Sequence, residues 1–188
     1  MSNFCGQKSA ISFKRIDFKD ISSLYSNIFY LKELYNLYLK YIDNLEDDFS
    51  PLRKSFEEFC GFIDKISPYF YIIFIKDEFC GFIFLENIVG KIKYIHSAEV
   101  TICIKRKFWG NNALKIAEIF KSYCFNFLKI TKLKALIYPQ NKTVKRLLRE
   151  CGFKKEAVLK SETLRKEKLQ DIEIYTLLNT VKGGCNAV

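Results

Sequence analysis

The stretch from Ser97 to Phe153 constrains this chain more than any other. Residues 98–104 read AEVTICI and alternate as a strand does, with Glu99, Thr101 and Cys103 on one face and Val100, Ile102 and Ile104 on the other. A polar turn comes next, through Trp109 to Asn112. Leu114, Ile116, Ala117, Phe120, Cys124 and Leu128 then recur at helical spacing, predicting a helix over Ala113–Leu128. A second strand is predicted over Leu133–Tyr138, closed by Pro139, and a second helix over Val144–Cys151, with Gly152 at its C-cap. A strand that enters a helix through a short polar turn creates an anion site, because the first N–H groups of the helix have no partner within it.

The rest of the chain supplies walls for that unit. ISFKRI (11–16) predicts a first strand, with Asp17 or Asp20 as a cap for the helical segment after it. Ile21–Tyr41 carries apolar residues at three- and four-residue spacing, and one or two helices with a break near Ser26–Phe29 are expected. DNLEDDFSP (43–51) reads as an acidic solvated loop; its functional alternative is a surface that attracts a cationic amine. Ser55 and Glu58 form a capping box before a helix over Phe56–Ile66. Tyr69–Ile75 and Phe79–Glu86 predict a hairpin in which Gly81 permits close backbone approach, and Asn87–Tyr94 a loop. Phe153–Thr163 and Asp171–Leu178 predict a second hairpin across LRKEK. Strands and helices interleaved in this order give an α+β (α/β-like) domain with one mixed central sheet, expected over residues 1–178, with residues 179–188 as a tail.

Composition narrows the function classes. No apolar run reaches the roughly 20 residues of a membrane span, and the N-terminus lacks the apolar segment of a secretory signal; a cytoplasmic protein with no membrane partner is expected. Seven Cys include no C-x-x-C pair, and the single His is His96, so a metal site is not expected. The net charge of +10 admits an anionic partner, or reflects Lys on solvated helix faces.

Three motifs, AEVTICI, FWGNNA (108–113) and Asn141-x10-Gly152-Phe153, occur in the order and spacing of one family over about half the chain. The stretch from Gly81 to Leu178 resembles the GNAT superfamily of acetyl-CoA-dependent N-acetyltransferases. It is most similar to the branch of ribosomal-protein N-terminal acetyltransferases, polyamine acetyltransferases and phage-encoded members. The resemblance implies a mostly antiparallel sheet of six to seven strands flanked by helices and splayed at its central strands. It implies acetyl-CoA as co-substrate and no metal. Backbone amides of Trp109, Gly110, Asn111, Asn112 and Ala113 would hold the pyrophosphate, with Lys105, Arg106 and Lys107 adding charge. Ile102, Cys103 and Ile104 would offer backbone groups to the pantetheine arm, and Asn141 would hydrogen-bond it; the residue alone also reads as a helix N-cap. The chain departs from the pattern at Asn112, where a second glycine is usual, and at Val144 and Leu148, where relatives carry a Ser or a Tyr.

Glu99 is the leading candidate for the base that takes a proton from an attacking amine, and His96 is a second. Tyr138 is the candidate donor to the departing thiolate, with Tyr175 also possible. The acceptor is expected to be an amine of open identity: a protein N-terminus, a small-molecule amine or an amino sugar. The alternatives are acetylation of RNA or a charged tRNA, and a non-catalytic CoA- or anion-binding module. A monomer and a homodimer are both compatible with the sequence.

Overall fold

The computed structural model describes residues 4–5, 10–16, 21–49, 55–91 and 94–180. Among these the sheet has eight strands: β1 (Phe4–Cys5), β2 (Ile11–Arg15), β3 (Phe70–Ile75), β4 (Glu78–Lys91), β5 (Tyr94–Ile104), β6 (Lys132–Ile137), β7 (Lys154–Arg165) and β8 (Lys168–Leu178), in the spatial order β1-β2-β3-β4-β5-β6-β8-β7. The two-residue β1 extends the expected six to seven by one edge. Every pairing is antiparallel except that of β5 with β6.

Alternation along the strands divides the core in two. Phe13, Tyr71, Ile73, Ile83 and Leu85 face α4 (Asn111–Asn126) and α5 (Lys142–Glu150), meeting Ile116, Phe120, Cys124 and Leu148. Phe70, Ile72, Phe82 and Phe84 face α1 (Ile21–Lys40) and α3 (Phe56–Ile66), meeting Leu31, Leu34, Leu37, Phe59 and Ile63. The spacing of Leu31, Leu34 and Tyr38 places one stripe of α1 against the sheet.

Several boundaries differ from expectation. Helix α1 runs unbroken past Ser26–Phe29, because residues 21–40 contain no Pro or Gly and the adjacent Ser26 and Asn27 cost only about 0.5 kcal/mol each in a helix. The expected caps at Asp17 and Asp20 lie outside the described residues. Helix α3 carries the full capping box of Ser55 and Glu58. The segment 87–91, expected as a loop, continues β4 through a bulge; Asn87 absorbs it at φ 47, a left-handed conformation Asn tolerates. Asn179, expected in a tail, is held by its N–H on the Thr131 carbonyl at 2.8 Å.

Lys105 N–H donates to the Cys80 carbonyl, which fixes the hydrogen-bonding phase of the β4–β5 ladder. Glu99, Thr101 and Cys103 exchange backbone bonds with Glu86, Phe84 and Phe82, whereas Val100, Ile102 and Ile104 turn their backbone groups toward β6. Gly81 opposes Ile104 in the closer, non-bonded type of pair. A Cβ there would lie 2.2 Å from the Cys103 carbonyl oxygen and 2.7 Å from Ile104 Cα. Both are backbone atoms that cannot step aside. Gly81→Ala should therefore lower stability by about 1–3 kcal/mol, the range for overpacking a tight core. Urea denaturation checks this; an unchanged midpoint would mean that β4 and β5 do not approach this closely.

Candidate functional site

The parallel pairing of β5 and β6 is short. Ser97, Ala98 and Glu99 pair with Lys132, Leu133 and Lys134, and the pairing ends there. Beyond that point β5 remains paired to β4 and β6 to β8, so the two inner strands diverge and leave a gap. Val100, Ile102 and Ile104 present their backbone to it. Cys103, expected in the same role, belongs to the set paired with β4, and its side chain is buried. The Ile104 carbonyl is already taken by the Trp109 indole Nε1–H at 3.1 Å.

At the open end of β5 the chain makes a single 3₁₀ turn, Arg106–Phe108, and enters α4. The Trp109 N–H donates to the Arg106 carbonyl within that turn, so it is not free to bind an anion as expected. Gly110 is the N-cap at φ 78 and ψ −130, and a Cβ on it would meet nothing within 4 Å. The first N–H of the helix ladder is that of Leu114, donating to the Gly110 carbonyl at 3.1 Å. The amides of Asn111, Asn112 and Ala113 thus form the unpartnered first turn, with no side-chain cap and no acidic residue among them. Asn112 sits inside the helix and not in a left-handed turn, so a glycine is not needed there for conformation; only Gly110 has positive φ in this turn. A helix start of this kind, opening beside a gap between strands, fits a pyrophosphate with an extended arm.

The basic run is less available than its sequence suggests. Lys105 pairs with Glu33 at 2.8 Å and lies 4.4 Å above the Phe79 ring; Lys107 pairs with Glu78. Arg106 lies over Trp109 at 6.0 Å. Asn141 caps α5: its Oδ1 accepts from the Val144 N–H at 3.3 Å, leaving the amide Nδ2 without a partner among the described residues.

Glu99 stands at the last β5–β6 pair, where the gap begins. It is not a solvent-facing strand end: its side chain is 17% exposed, Oε2 accepts from Asn87 Nδ2 at 2.8 Å and Oε1 faces Lys134 Nζ at 3.4 Å. Directly opposite, on the same face, lies Glu86, which sequence reasoning left out. The sequence carries little signal for it, because the uniformly apolar run Phe79–Leu85 sets no register and bulges at Val89 and Gly90 shift the pairing between Glu86 and the turn. Glu86 Oε1 accepts from Thr101 Oγ1 at 3.4 Å. With Thr101, Asn87, Phe84, Tyr38, Leu45 and Glu46 it lines a cavity of about 160 Å³. His96 is exposed on the N-terminal half of β5.

Tyr138 is buried, and its hydroxyl donates to the Glu46 carbonyl at 3.2 Å. Burial, reinforced by the Asp47 carboxylate, raises its pKa against the opposing influence of Arg165, whose guanidinium lies 4.8 Å over the ring. Tyr175 is also buried and hydrogen-bonded to Glu173 at 3.3 Å. Burial pushes the Cys103 thiol up to about 12 and the Cys151 thiol, burial again leading, to about 11, so neither is a ready nucleophile at neutral pH.

The sequence pattern of the acetyltransferase (GNAT) domain matches residues 20–154. The chain belongs to the GNAT acetyltransferase family. This GNAT domain is 26% identical over 106 residues to an N-acetyltransferase named p20 of Bacillus licheniformis, a match covering 56% of either chain. Its fold is similar to that of a spermidine N-acetyltransferase from Vibrio cholerae solved with CoA and spermine, at TM-score 0.69 and 19% identity over 90% of this chain and 95% of the other. It is likewise similar to a ribosomal-protein-S5-alanine acetyltransferase from Vibrio fischeri, at TM-score 0.72 and 14% identity over 96% and 98%. Among the described residues of this GNAT domain, no helix is long and apolar enough to cross a membrane.

The Gly110 geometry makes one test direct. Its backbone conformation is close to glycine-only, and open space surrounds it. Gly110→Ala should therefore cost about 1–3 kcal/mol through conformation alone. A thermal melt with unchanged midpoint would refute the turn as described.

Proposed function

We propose that this GNAT domain transfers the acetyl group of acetyl-CoA to a primary amine by direct attack in a ternary complex. The observation that carries the reading is the gap between β5 and β6 opening onto the uncapped N-terminus of α4. The amides of Gly110, Asn111, Asn112 and Ala113 hold the pyrophosphate, backbone groups of Ile102 and Ile104 line the arm, and Asn141 Nδ2 is a further donor to it. Acetyl-CoA supplies the activated acyl carbon. The protein supplies position and a carboxylate, because the attacking amine must be neutral: a Lys-type amine with pKa about 10.4 needs more help than an α-amine near 7.7–8.0. That carboxylate comes from Glu99 and Glu86, which face each other at the mouth of the gap.

Tyr138 is left out of this step, since its hydroxyl donates to the Glu46 carbonyl. A thiol with pKa near 8.5 leaves adequately at neutral pH without a strong acid. The reading needs no metal and assigns no role to a membrane.

Calorimetry with CoA, and acetyl transfer to a panel of alkylamines, amino sugars and peptides with free N-termini, test the proposal. Binding with a micromolar dissociation constant and transfer to one class are expected; no CoA binding at millimolar concentration would overturn it. Glu99→Gln should lower kcat by at least about tenfold while CoA affinity stays within about twofold, since the carboxylate lies off the pyrophosphate turn. An unchanged kcat would remove Glu99 from the mechanism.

A further inference from the structure

We propose that Lys145 and Glu173 are positioning residues for the cofactor: their ion pair holds the Pro139 carbonyl and so aims the Asn141 amide at the arm of acetyl-CoA. The inference rests on the acetyl-transfer reading and deepens it.

The link from β6 to α5 runs over residues 138–141. Asn141 N–H donates to the Tyr138 carbonyl at 2.9 Å, closing a turn with Pro139 at its second position. Lys142 N–H donates to the Gln140 carbonyl at 2.9 Å, and Asn141 between them has φ −79 and ψ 69, the angles of an inverse γ-turn. An N-cap residue ordinarily takes extended angles. Here the tighter turn sets where the Asn141 side chain leaves the backbone. With Oδ1 held by the Val144 N–H, the direction of the amide Nδ2 follows from the shape of that turn.

Lys145 grips the link at two points. Its N–H donates to the Asn141 carbonyl at 3.1 Å, and its Nζ donates to the Pro139 carbonyl at 2.7 Å. The ammonium thereby lies back toward the start of α5, where the helix dipole disfavours a cation. The opposing charge comes from Glu173 of β8, whose Oε2 lies 3.1 Å from Nζ. Glu173 is buried and stands opposite Ile137, the last residue of β6. Its Oε2 also accepts from the Tyr175 hydroxyl at 3.3 Å, and its Oε1 lies 3.5 Å from Lys155 Nζ. The strand β8 therefore fixes a carboxylate, the carboxylate fixes an ammonium, and the ammonium fixes the carbonyl two residues before Asn141.

A largely buried ion pair is a poor device for stability alone, since well-packed apolar residues of similar volume often serve as well. What this pair adds is direction, because Nζ must stand within hydrogen-bond reach of oxygens from two different elements at once. A donor such as Asn141 Nδ2 needs that precision, because a hydrogen bond weakens steeply as its angle closes.

The test is a double-mutant cycle on the full chain, read by calorimetry with CoA as the probe. Asn141→Ala should weaken CoA binding by about five- to tenfold, the net worth of one hydrogen bond. Lys145→Met, which keeps an arm of similar reach and removes the ammonium, should weaken it at least about threefold in the native background and less than about 1.5-fold in the Asn141→Ala background. Glu173→Gln should weaken it at least about twofold, again only while Asn141 is present. Lys145→Arg, which keeps the charge and the donor, should stay within about twofold of the native affinity, and it guards against misfolding of the Met variant. A merely structural pair would lower the melting temperature in both backgrounds and leave the two effects on CoA to add. Equal loss of CoA affinity in both backgrounds, or native affinity in Lys145→Met and Glu173→Gln, would overturn the assignment. A native protein that binds no CoA strikes the acetyl-transfer reading. Native CoA affinity in Asn141→Ala strikes this inference and leaves transfer standing.

Discussion

The three-residue parallel ladder between β5 and β6 is the constraint on which the rest depends. A parallel pair could in principle continue along all six residues of β6. Here it stops at Glu99 and Lys134, and the two strands are then held apart from outside, β5 by β4 and β6 by β8. The unpaired edge of each inner strand would be a liability if it faced solvent without purpose. In this fold it borders a gap whose far end is the start of α4. One truncated ladder therefore both opens the gap and leads it to the uncapped start of α4.

A second set of contacts closes the domain around the same place. The tip of the β7–β8 hairpin docks on the short helix α2 (Ile42–Leu45) and the segment after it: Asp48 N–H donates to the Leu164 carbonyl at 2.8 Å, Glu167 N–H to Asp48 Oδ2 at 2.9 Å, Lys166 pairs with Asp43 at 2.6 Å, and Thr163 donates to Asp47. Tyr138, at the end of β6, is fixed beneath this clamp through the Glu46 carbonyl and the Arg165 guanidinium. The exposed ion pair contributes little by itself. The backbone bonds and the buried tyrosine do more, because they also shape the wall that carries Tyr38, Leu45 and Glu46 into the cavity beside Glu86.

The features legible in the sequence were local. The capping box at Ser55, the close approach at Gly81, the left-handed C-cap at Gly152 and the alternation through Glu99 are each determined by a few neighbouring residues, and the structure has them. The features it hid depended on partners far along the chain. The acidic run at 43–48 reads as a solvated loop until the hairpin more than a hundred residues later consumes its carboxylates and amides. Lys105 and Lys107 read as free positive charge until Glu33 and Glu78 arrive from other elements. Trp109 reads as part of an anion cradle, but its indole and amide are spent holding the turn to Ile104 and Arg106. Glu86 is the instructive omission: it faces Glu99 only through the β4–β5 register, which the uniformly apolar run Phe79–Leu85 does not set and which two bulges shift after Glu86.

Net charge was a poor guide to the site for a related physical reason. A charge of +10 spread over 188 residues is largely screened beyond about 10 Å at ordinary ionic strength. A ligand meets only the arrangement within one such length. At the start of α4 that arrangement is a set of unpartnered N–H groups with little free cationic help, which suits a phosphate held by backbone more than by Lys. Across β5, on the opposite side of one strand, Glu99 lies between the Lys134 ammonium and the Asn87 amide, with Glu86 directly opposite. A single strand thus separates the unpartnered N–H groups at the start of α4 from a face that carries carboxylates.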